Sequence, residues 1–405
     1  MDVGFRLNRL EDAAIAGQRA LVRVDFNVPM VEHETGRRIT DDTRLRAALP
    51  TIRHLRERGC KIVLCAHYGR PKGQAVDAMS LRPVADALAG LLGERVKFIN
   101  DCVGPLAQGA AADLEPGCVL LLENTRFHEG EEANAPAFAQ DLAALADIYV
   151  NDAFSAAHRA HASAEGVARY LPAYAGLALG RELDYLAQAL EAPARPSLAV
   201  VGGAKVSTKL DLLANLVKKV DMLFVGGGMA NTFLFAQGHD LGLSLCEKDL
   251  AETARAVMAG AAQAGCTLIL PTDLVCTQTF EAHAPSQVRA IDSIGPDDMA
   301  VDVGPDTVDR LADAIDQART LVWNGPLGAF ELKPFDTGTV EAARYAAKRV
   351  REAGLIAVPG RRDTVAALNA AQIADDFTYV STAGGAFLEW LEGKTLPGIA
   401  ALASA

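Results

Sequence analysis

Residues 197–210 read SLAVVGGAKVSTKL: an apolar run that suits one buried strand, two glycines, then two lysines four residues apart at the opening of a helix. Glycines directly after a strand let the chain turn sharply and let another backbone or a ligand come close. The helix start adds unpaired N–H groups, which favour anions. The stretch therefore reads as a strand–loop–helix unit of a parallel sheet, with Lys205 and Lys209 able to share one face beside a bound phosphate. Neither GxxxxGK[ST] nor GxGxxG occurs in the chain, so this is neither a Walker loop nor a dinucleotide fingerprint.

The same rhythm extends in both directions. Towards the C-terminus come DMLFVGG at 221–227, CTLILP at 266–271, TLVWNG at 320–325, GLIAVPG at 354–360 and FTYVS at 377–381. Towards the N-terminus come RALVRVD at 19–25, KIVLCA at 61–66, CVLLLE at 118–123 and DIYVND at 147–152. Short apolar runs separated by helical patterns predict βαβ units, here two α/β domains, each doubly wound on a parallel sheet and of similar size. A helical segment at about 177–190 followed by Pro193 and Pro196 marks the junction.

Composition bounds the function. The 405 residues are 50% hydrophobic and 22% charged, with mean hydropathy +0.13, enough apolar surface for real cores. A net charge of −12 and a pI near 5.2 argue against nucleic acid or an anionic membrane as partner. No apolar run reaches the roughly 18–20 residues that span a bilayer, and the N-terminus has no leader pattern, so a cytoplasmic protein is expected. Seven cysteines without a CxxC pair predict reduced and mostly buried thiols.

In doubly wound sheets ligands collect at the carboxyl ends of the strands. Here those ends carry Arg23, Asp25 and Asn27; His67, Gly69 and Arg70; Glu123, Asn124, Arg126 and His128; Asn151, Asp152, His158, Arg159 and His161. Any one is as readily a loop residue. Arg44, Arg70, Arg126 and Arg159 converging on one sheet edge would repel one another unless an anion lay among them, which predicts an acidic, phosphorylated small substrate. No histidine has metal-site spacing. In the second half VGGGMANTF at 225–233 again follows a strand, WNGPLGAFE at 323–331 places Asn324 and Glu331 at a strand end, and GRRDT at 360–364 puts Asp363 and Thr364 at a helix start. Two glycine runs suggest a nucleotide, and Asp363 is either a helix cap or a group beside its Mg²⁺ and phosphates.

Taken in order, RVDFNVP, ITDDTRL, AHYGRPKG, ENTRFHEGEE, NDAFSAAHRAH, GGAKVSTK, VGGGMANTF, WNGPLGAFE and STAGGAFLEWLEGK resemble the phosphoglycerate kinase family along essentially the whole chain. The resemblance implies a 3-phosphoglycerate-binding domain at 1–175, an interdomain helix at 176–192, a nucleotide-binding domain at 193–385 and a segment at 386–405 returning to the first domain, the domains facing each other across a cleft. Asp25, Asn27, Arg44, His67, Arg70, Arg126 and Arg159 would hold phosphoglycerate. Gly203, Ala204, Lys205, Lys209, Gly226, Gly227, Gly228, Asn324, Glu331, Asp363 and Thr364 would contact ADP or ATP, with Asp363 binding its Mg²⁺ and with Arg44, Lys205 and Lys209 as the catalytic cations. The implied reaction is reversible phosphoryl transfer between 1,3-bisphosphoglycerate and ADP, by a monomer. The sequence departs from the family pattern in three places: Tyr68, Ala383, and the pair Arg361 and Arg362 where glycines are usual. The arginine pair raises the alternative of a nucleotide- or phosphoglycerate-binding relative with impaired transfer.

Overall fold

The computed structural model describes residues 7–33 and 36–403; residues 1–6 of the expected first domain and 404–405 of the expected returning segment lie outside them. The chain divides into two compact units, one running to Leu183 and joined by the segment from Thr395, the other Asp184–Lys394.

The first unit is built on six strands: β1 Arg19–Arg23, β2 Lys61–Cys65, β3 Val96–Phe98, β4 Val119–Leu121, β5 Ile148–Asn151 and β6 Ala173–Ala175. They pair in the order β3-β4-β2-β1-β5-β6, every pair parallel. Helices cover both faces, so these strands are apolar without alternation; Leu21, Val22, Ile62, Val63, Leu64, Leu120, Leu121, Tyr149 and Val150 are wholly buried. The order reverses at β1: the chain first builds outward through β2, then returns to place β5 on the other side. An antiparallel ribbon, Met30–His33 with Gly36–Ile39, adds a small appendage.

The second unit repeats the plan with β7 Ser197–Val201, β8 Met222–Val225, β9 Thr267–Ile269, β13 Thr320–Asn324 and β14 Ile356–Gly360, in the order β9-β8-β7-β13-β14. Its reversal lies between β7 and β13. Between β9 and β13 the chain forms a separate antiparallel sheet from β10 Asp273–Thr277, β11 Ser286–Ala290 and β12 Met299–Val303. That sheet is absent from the sequence reading; its strand β11, SQVRA, is largely exposed and lacks an apolar run. Conversely, 377–381 is not a strand. Only Ser381 bridges to Gly360, while the Thr378 side chain takes the Ala357 N–H at 3.0 Å.

The helix Leu177–Leu186 carries the chain across the division at Leu183 and ends in one π-helical turn, Ala187–Glu191. The returning segment starts at Thr395, not 386; helix Gly385–Leu391 stays with the second unit, where Asn215 Nδ2 donates to Leu391 O at 2.6 Å. The returning residues are anchored by Gly398 N–H to Ala157 O at 2.8 Å and by Asn8 N–H to Leu402 O at 3.2 Å, with Leu402 fully buried. Five of the seven cysteines are buried, Cys246 is half-buried and Cys118 exposed. Among the described residues no helix is long and apolar enough to cross a membrane.

Both tryptophans, Trp323 and Trp390, belong to the second unit, whereas Leu402 packs in the first. Leu402→Ala should cost the first unit about 2–5 kcal/mol. In urea, the circular dichroism transition then begins at lower denaturant while the tryptophan fluorescence midpoint stays within about 0.2 M of the parent; equal shifts in both signals would show that the units unfold as one.

Candidate active site

In each unit the residues of interest stand at the carboxyl ends of the strands flanking the reversal in strand order, where connections leave in opposite directions and open a crevice.

In the first unit β1 delivers Arg23 to that point, 1% exposed. Its Nε donates to Ser163 Oγ at 2.9 Å and its Nη2 to His67 Nδ1 at 2.7 Å. Ser163 Oγ in turn donates to the buried Glu131 at 2.5 Å, so the arginine meets its counter-charge through a hydroxyl. A guanidinium only donates, so Nδ1 of His67 is its unprotonated nitrogen and the ring is neutral. Burial, with Arg23, Arg126 and Arg159 nearby, holds His67 well below its ordinary value. The same combination, burial first and then Arg126, Arg159 and Arg23, takes His161 down to about 4, and burial and Arg159 depress His158.

Arg126, 4% exposed, donates from Nη1 to Gly69 O at 2.7 Å and lies 3.1 Å from Glu132. Burial and the nearby Arg159 and Arg23 lower it, against Glu132. Arg159 Nε donates to His158 Nε2 at 3.2 Å. Asp25 accepts from Arg44 at 2.8 Å, from the Asn27 N–H at 3.2 Å and from Ser155 Oγ at 2.5 Å. Asn27 Oδ1 accepts the Gly69 N–H at 3.1 Å. Arg44 is the second residue of helix Thr43–Glu57, whose first N–H is capped by Asp41 at 2.8 Å. Arg70 is exposed.

The structure thus brings Arg126 and Arg159 together with Arg23 and His161 from the other strand ends, and places beside Asp25 a residue the sequence reading does not single out, Ser155. Glu123 and Asn124, flagged by position, are instead braces: Glu123 accepts from Leu81 N–H and Ser80 Oγ, and Asn124 ties Tyr68, Met79 and Arg126. His128 pairs with Asp101 at 2.9 Å. With Cys102 these residues place ligand atoms within 4.8 Å of one another, but burial pushes the Cys102 thiol up, so it stays protonated.

In the second unit Lys209 is 2% exposed. Its Nζ donates to Gly202 O, to Asn324 O at 2.9 Å and to Asn324 Oδ1 at 2.7 Å, tying β7 to β13. Burial and then Arg361 push the Lys209 ammonium down, yet three acceptors use all three N–H donors of its charged form. Lys205 is exposed, close enough to Glu247 to help hold that carboxylate low. The two lysines that sequence spacing put on one face therefore part company: Lys209 is an internal brace and Lys205 a solvent-side cation. Asn324 Nδ2 is buried and finds no partner among the described residues.

The glycine runs pack backbone on backbone. A Cβ on Gly227, at φ +68°, would come within 2.7 Å of Gly203 O, and one on Gly228 within 2.8 Å of Ala204 O. Gly226 N–H donates to Val201 O at 2.9 Å. Beside them opens a cavity of about 290 Å³, lined by Gly203, Ala204, Gly227, Gly228, Glu331 and Asp363 together with Leu245, Leu274, Phe280 and Val301. The apolar wall was not legible in sequence, because its residues come from separate elements and Leu245 and Phe280 are exposed at 49% and 63%. Thr364 is buried, and its hydroxyl accepts the Gly325 N–H at 2.7 Å, which makes it a brace of the β13 loop. Asp363 is half-buried in the first turn of helix Arg362–Ala370. One carboxylate beside phosphate oxygens is what a nucleotide-bound Mg²⁺ asks of a protein, and Asp363 fits that part. Of the arginine pair, only Arg361 has positive φ, +76°; Arg362 is exposed in the first turn of the helix.

A family model described as phosphoglycerate kinase matches residues 10–394. The chain is 60% identical over 396 residues to the phosphoglycerate kinase of Maricaulis maris (strain MCS10), covering 98% of this chain and 97% of that one. It is 59% identical over 394 residues to that of Methylorubrum populi, covering 97% and 98%. Among solved structures it is similar to phosphoglycerate kinase from Coxiella burnetii, with TM-score 0.90 at 42% identity over 98% of this chain and 99% of that one. It is also similar to the enzyme from Pyrococcus horikoshii OT3, with TM-score 0.81 at 30% identity over 98% of each. With strand order, glycine loops and a cation cluster all in place along the matched length, the chain belongs to the phosphoglycerate kinase family.

Proposed function

We propose that the chain catalyses reversible phosphoryl transfer between the acyl phosphate of 1,3-bisphosphoglycerate and ADP, giving 3-phosphoglycerate and ATP. Beyond family membership, the observation that carries this reading is the cluster of Arg23, Arg126 and Arg159 at one crevice, surrounded by imidazoles kept neutral. Those rings can donate hydrogen bonds but add no charge, so the guanidinium groups set the appetite for a phosphorylated anion. Asp25, Asn27, Arg44, His67 and Arg70 complete the phosphoglycerate side in this reading.

The glycine-walled cavity of the second unit takes ADP or ATP. Gly203, Ala204, Gly227 and Gly228 admit the ligand closely, Gly226 and Lys209 hold those loops in shape, and Asn324, Glu331 and Asp363 supply polar contacts. Mg²⁺ enters with the nucleotide and neutralises phosphate charge next to Asp363. The attacking group is a carboxylate of the substrate, ionised at neutral pH, so no general base is needed. What remains for the protein is in-line positioning and cations around the transferred group, for which Arg44 and Lys205 are the candidates. With a net charge of −12, we read the chain as a cytoplasmic monomer that binds neither nucleic acid nor membrane. The alternative of a nucleotide- or phosphoglycerate-binding relative with impaired transfer is not favoured, given the family match over residues 10–394.

Purified protein should form ATP from ADP and 1,3-bisphosphoglycerate in a coupled assay with Mg²⁺, and absence of turnover overturns the reading. Arg44→Ala should lower kcat on the order of 10² with nucleotide affinity little changed; a loss under about threefold removes Arg44 from the transition state. The lysines should separate by readout. Lys205→Ala is expected to lower kcat about tenfold or more and leave Tm alone. Lys209→Ala strands three buried acceptors and should lower Tm by about 5 °C or more as well as weakening nucleotide binding. Equal Tm values for the two variants would contradict the brace assigned to Lys209.

A further inference from the structure

Arg361 is the first residue after β14 and precedes helix Arg362–Ala370. Its φ of +76° is a conformation that strains a non-glycine residue. Nothing in the backbone therefore favours an arginine here, and its side chain must be read for what it reaches. That side chain is only one-third exposed. Its Nε lies 3.5 Å from Asp363 Oδ2, an ion pair too long to be a hydrogen bond. At the other end, a Cβ placed on Gly203 would sit 3.7 Å from Arg361 Nη1 and 3.6 Å from Lys209 Nζ. The guanidinium thus borders the open space over Gly203, next to a second cation, and Gly203, Arg361 and Asp363 all line the nucleotide-sized cavity. Glu331 is the other carboxylate on that cavity's wall that is not buried.

We propose that Arg361 is a phosphate-binding residue of the nucleotide site: its guanidinium gives up Asp363 to take oxygens of the terminal phosphates of ADP and ATP, supplying charge that Mg²⁺ would otherwise supply alone. This rests on the nucleotide reading above and adds to it a residue that departs from the family pattern. The exchange is chemically matched on both sides. A planar guanidinium fits phosphate oxygens as a fork, and Asp363, once released, is available to a hard divalent cation. Metal-free ADP carries the full phosphate charge and depends most on Arg361. Mg²⁺-ADP, already partly neutralised, depends on it less.

The test is calorimetric titration of ADP in EDTA and of ADP with excess Mg²⁺ into the parent, Arg361→Gln and Arg362→Gln. Arg361→Gln keeps the Cβ and its backbone strain and removes only the charge. It should weaken metal-free ADP about tenfold or more and Mg²⁺-ADP by less than about threefold, while Arg362→Gln changes neither beyond twofold. Arg361→Gly relieves the strain and should raise Tm, yet lose metal-free ADP to the same extent, which separates binding from folding. Equal losses for both nucleotide forms, unchanged metal-free binding in either Arg361 variant, or the same loss in Arg362→Gln overturns the assignment. Failure of the parent to bind either form overturns the nucleotide reading itself.

Discussion

The reversal of strand order beside the first strand of each sheet is the constraint on which the rest of this molecule depends. At β1/β5 and at β7/β13 the connections leave in opposite directions, so two strand ends stand side by side without a helix packed over them. Polar backbone and charged side chains there need partners of their own. In the second unit the solution is one lysine: Lys209 spans the gap by bonding Gly202 and Asn324. A Cβ on Gly202 would overlap the carbonyl oxygen of Pro326, which shows how closely the loops after β7 and β13 approach. The first unit answers with Arg23, which reaches Ser163 after β5 and His67 after β2. In both, a buried cation stitches the crevice that a ligand would occupy.

Burying those cations has a cost, and its distribution explains the histidines. Arg23 and Arg126 are nearly inaccessible, and the carboxylates within reach, Glu131 and Glu132, do not fully answer them and Arg159. A further positive group would add repulsion at short range in a medium that screens poorly. Burial first, and then this repulsion, lowers His67, His158 and His161 and favours their neutral forms. The rings therefore serve as neutral packing with polar edges, and the positive field is made by the guanidinium groups. An anion entering this crevice relieves repulsion as well as forming bonds, which is why clustered arginines are informative where a single one is not.

How far all this was legible in the sequence follows from the range over which each signal acts. Strands buried on both faces announce themselves as continuous apolar runs, and β1, β2, β4 and β5 of the first sheet and all five of the second sheet's strands could be read to within a few residues. Strand β11 could not, since an exposed antiparallel strand has no burial pattern to display, and FTYVS at 377–381 has strand composition and runs beside the edge strand β14, where the Tyr379 and Ser381 N–H groups donate to Ala357 O and Pro359 O, but forms a single bridge, Ser381 to Gly360. Single residues were harder. Arg126 and Glu123 are three apart and both polar at a strand end, yet one joins the cation cluster and the other caps Leu81 and Asn124. Which role each takes depends on the loop after β2, more than forty residues away, and no local pattern encodes that. The cavity's apolar wall has the same origin in distant segments.

Arg361 shows the limit from the other side. From sequence the pair Arg361-Arg362 looks like one departure with one consequence, a strained backbone in place of a glycine loop. In the fold the two residues have nothing in common: Arg362 enters a helix with ordinary dihedrals, and Arg361 alone carries the left-handed backbone. Backbone strain persists only where surrounding contacts over-determine it; Asp363 answers the Arg361 guanidinium on one side, while on the Gly203 side its neighbour is a second cation, Lys209. A glycine at 361 would relieve the strain but leave Asp363 as an unopposed carboxylate at the mouth of a phosphate site, where it could repel the ligand whenever no metal ion is present. The arginine removes that repulsion at the expense of backbone comfort, so the substitution is coherent as electrostatics even though it is unfavourable as geometry.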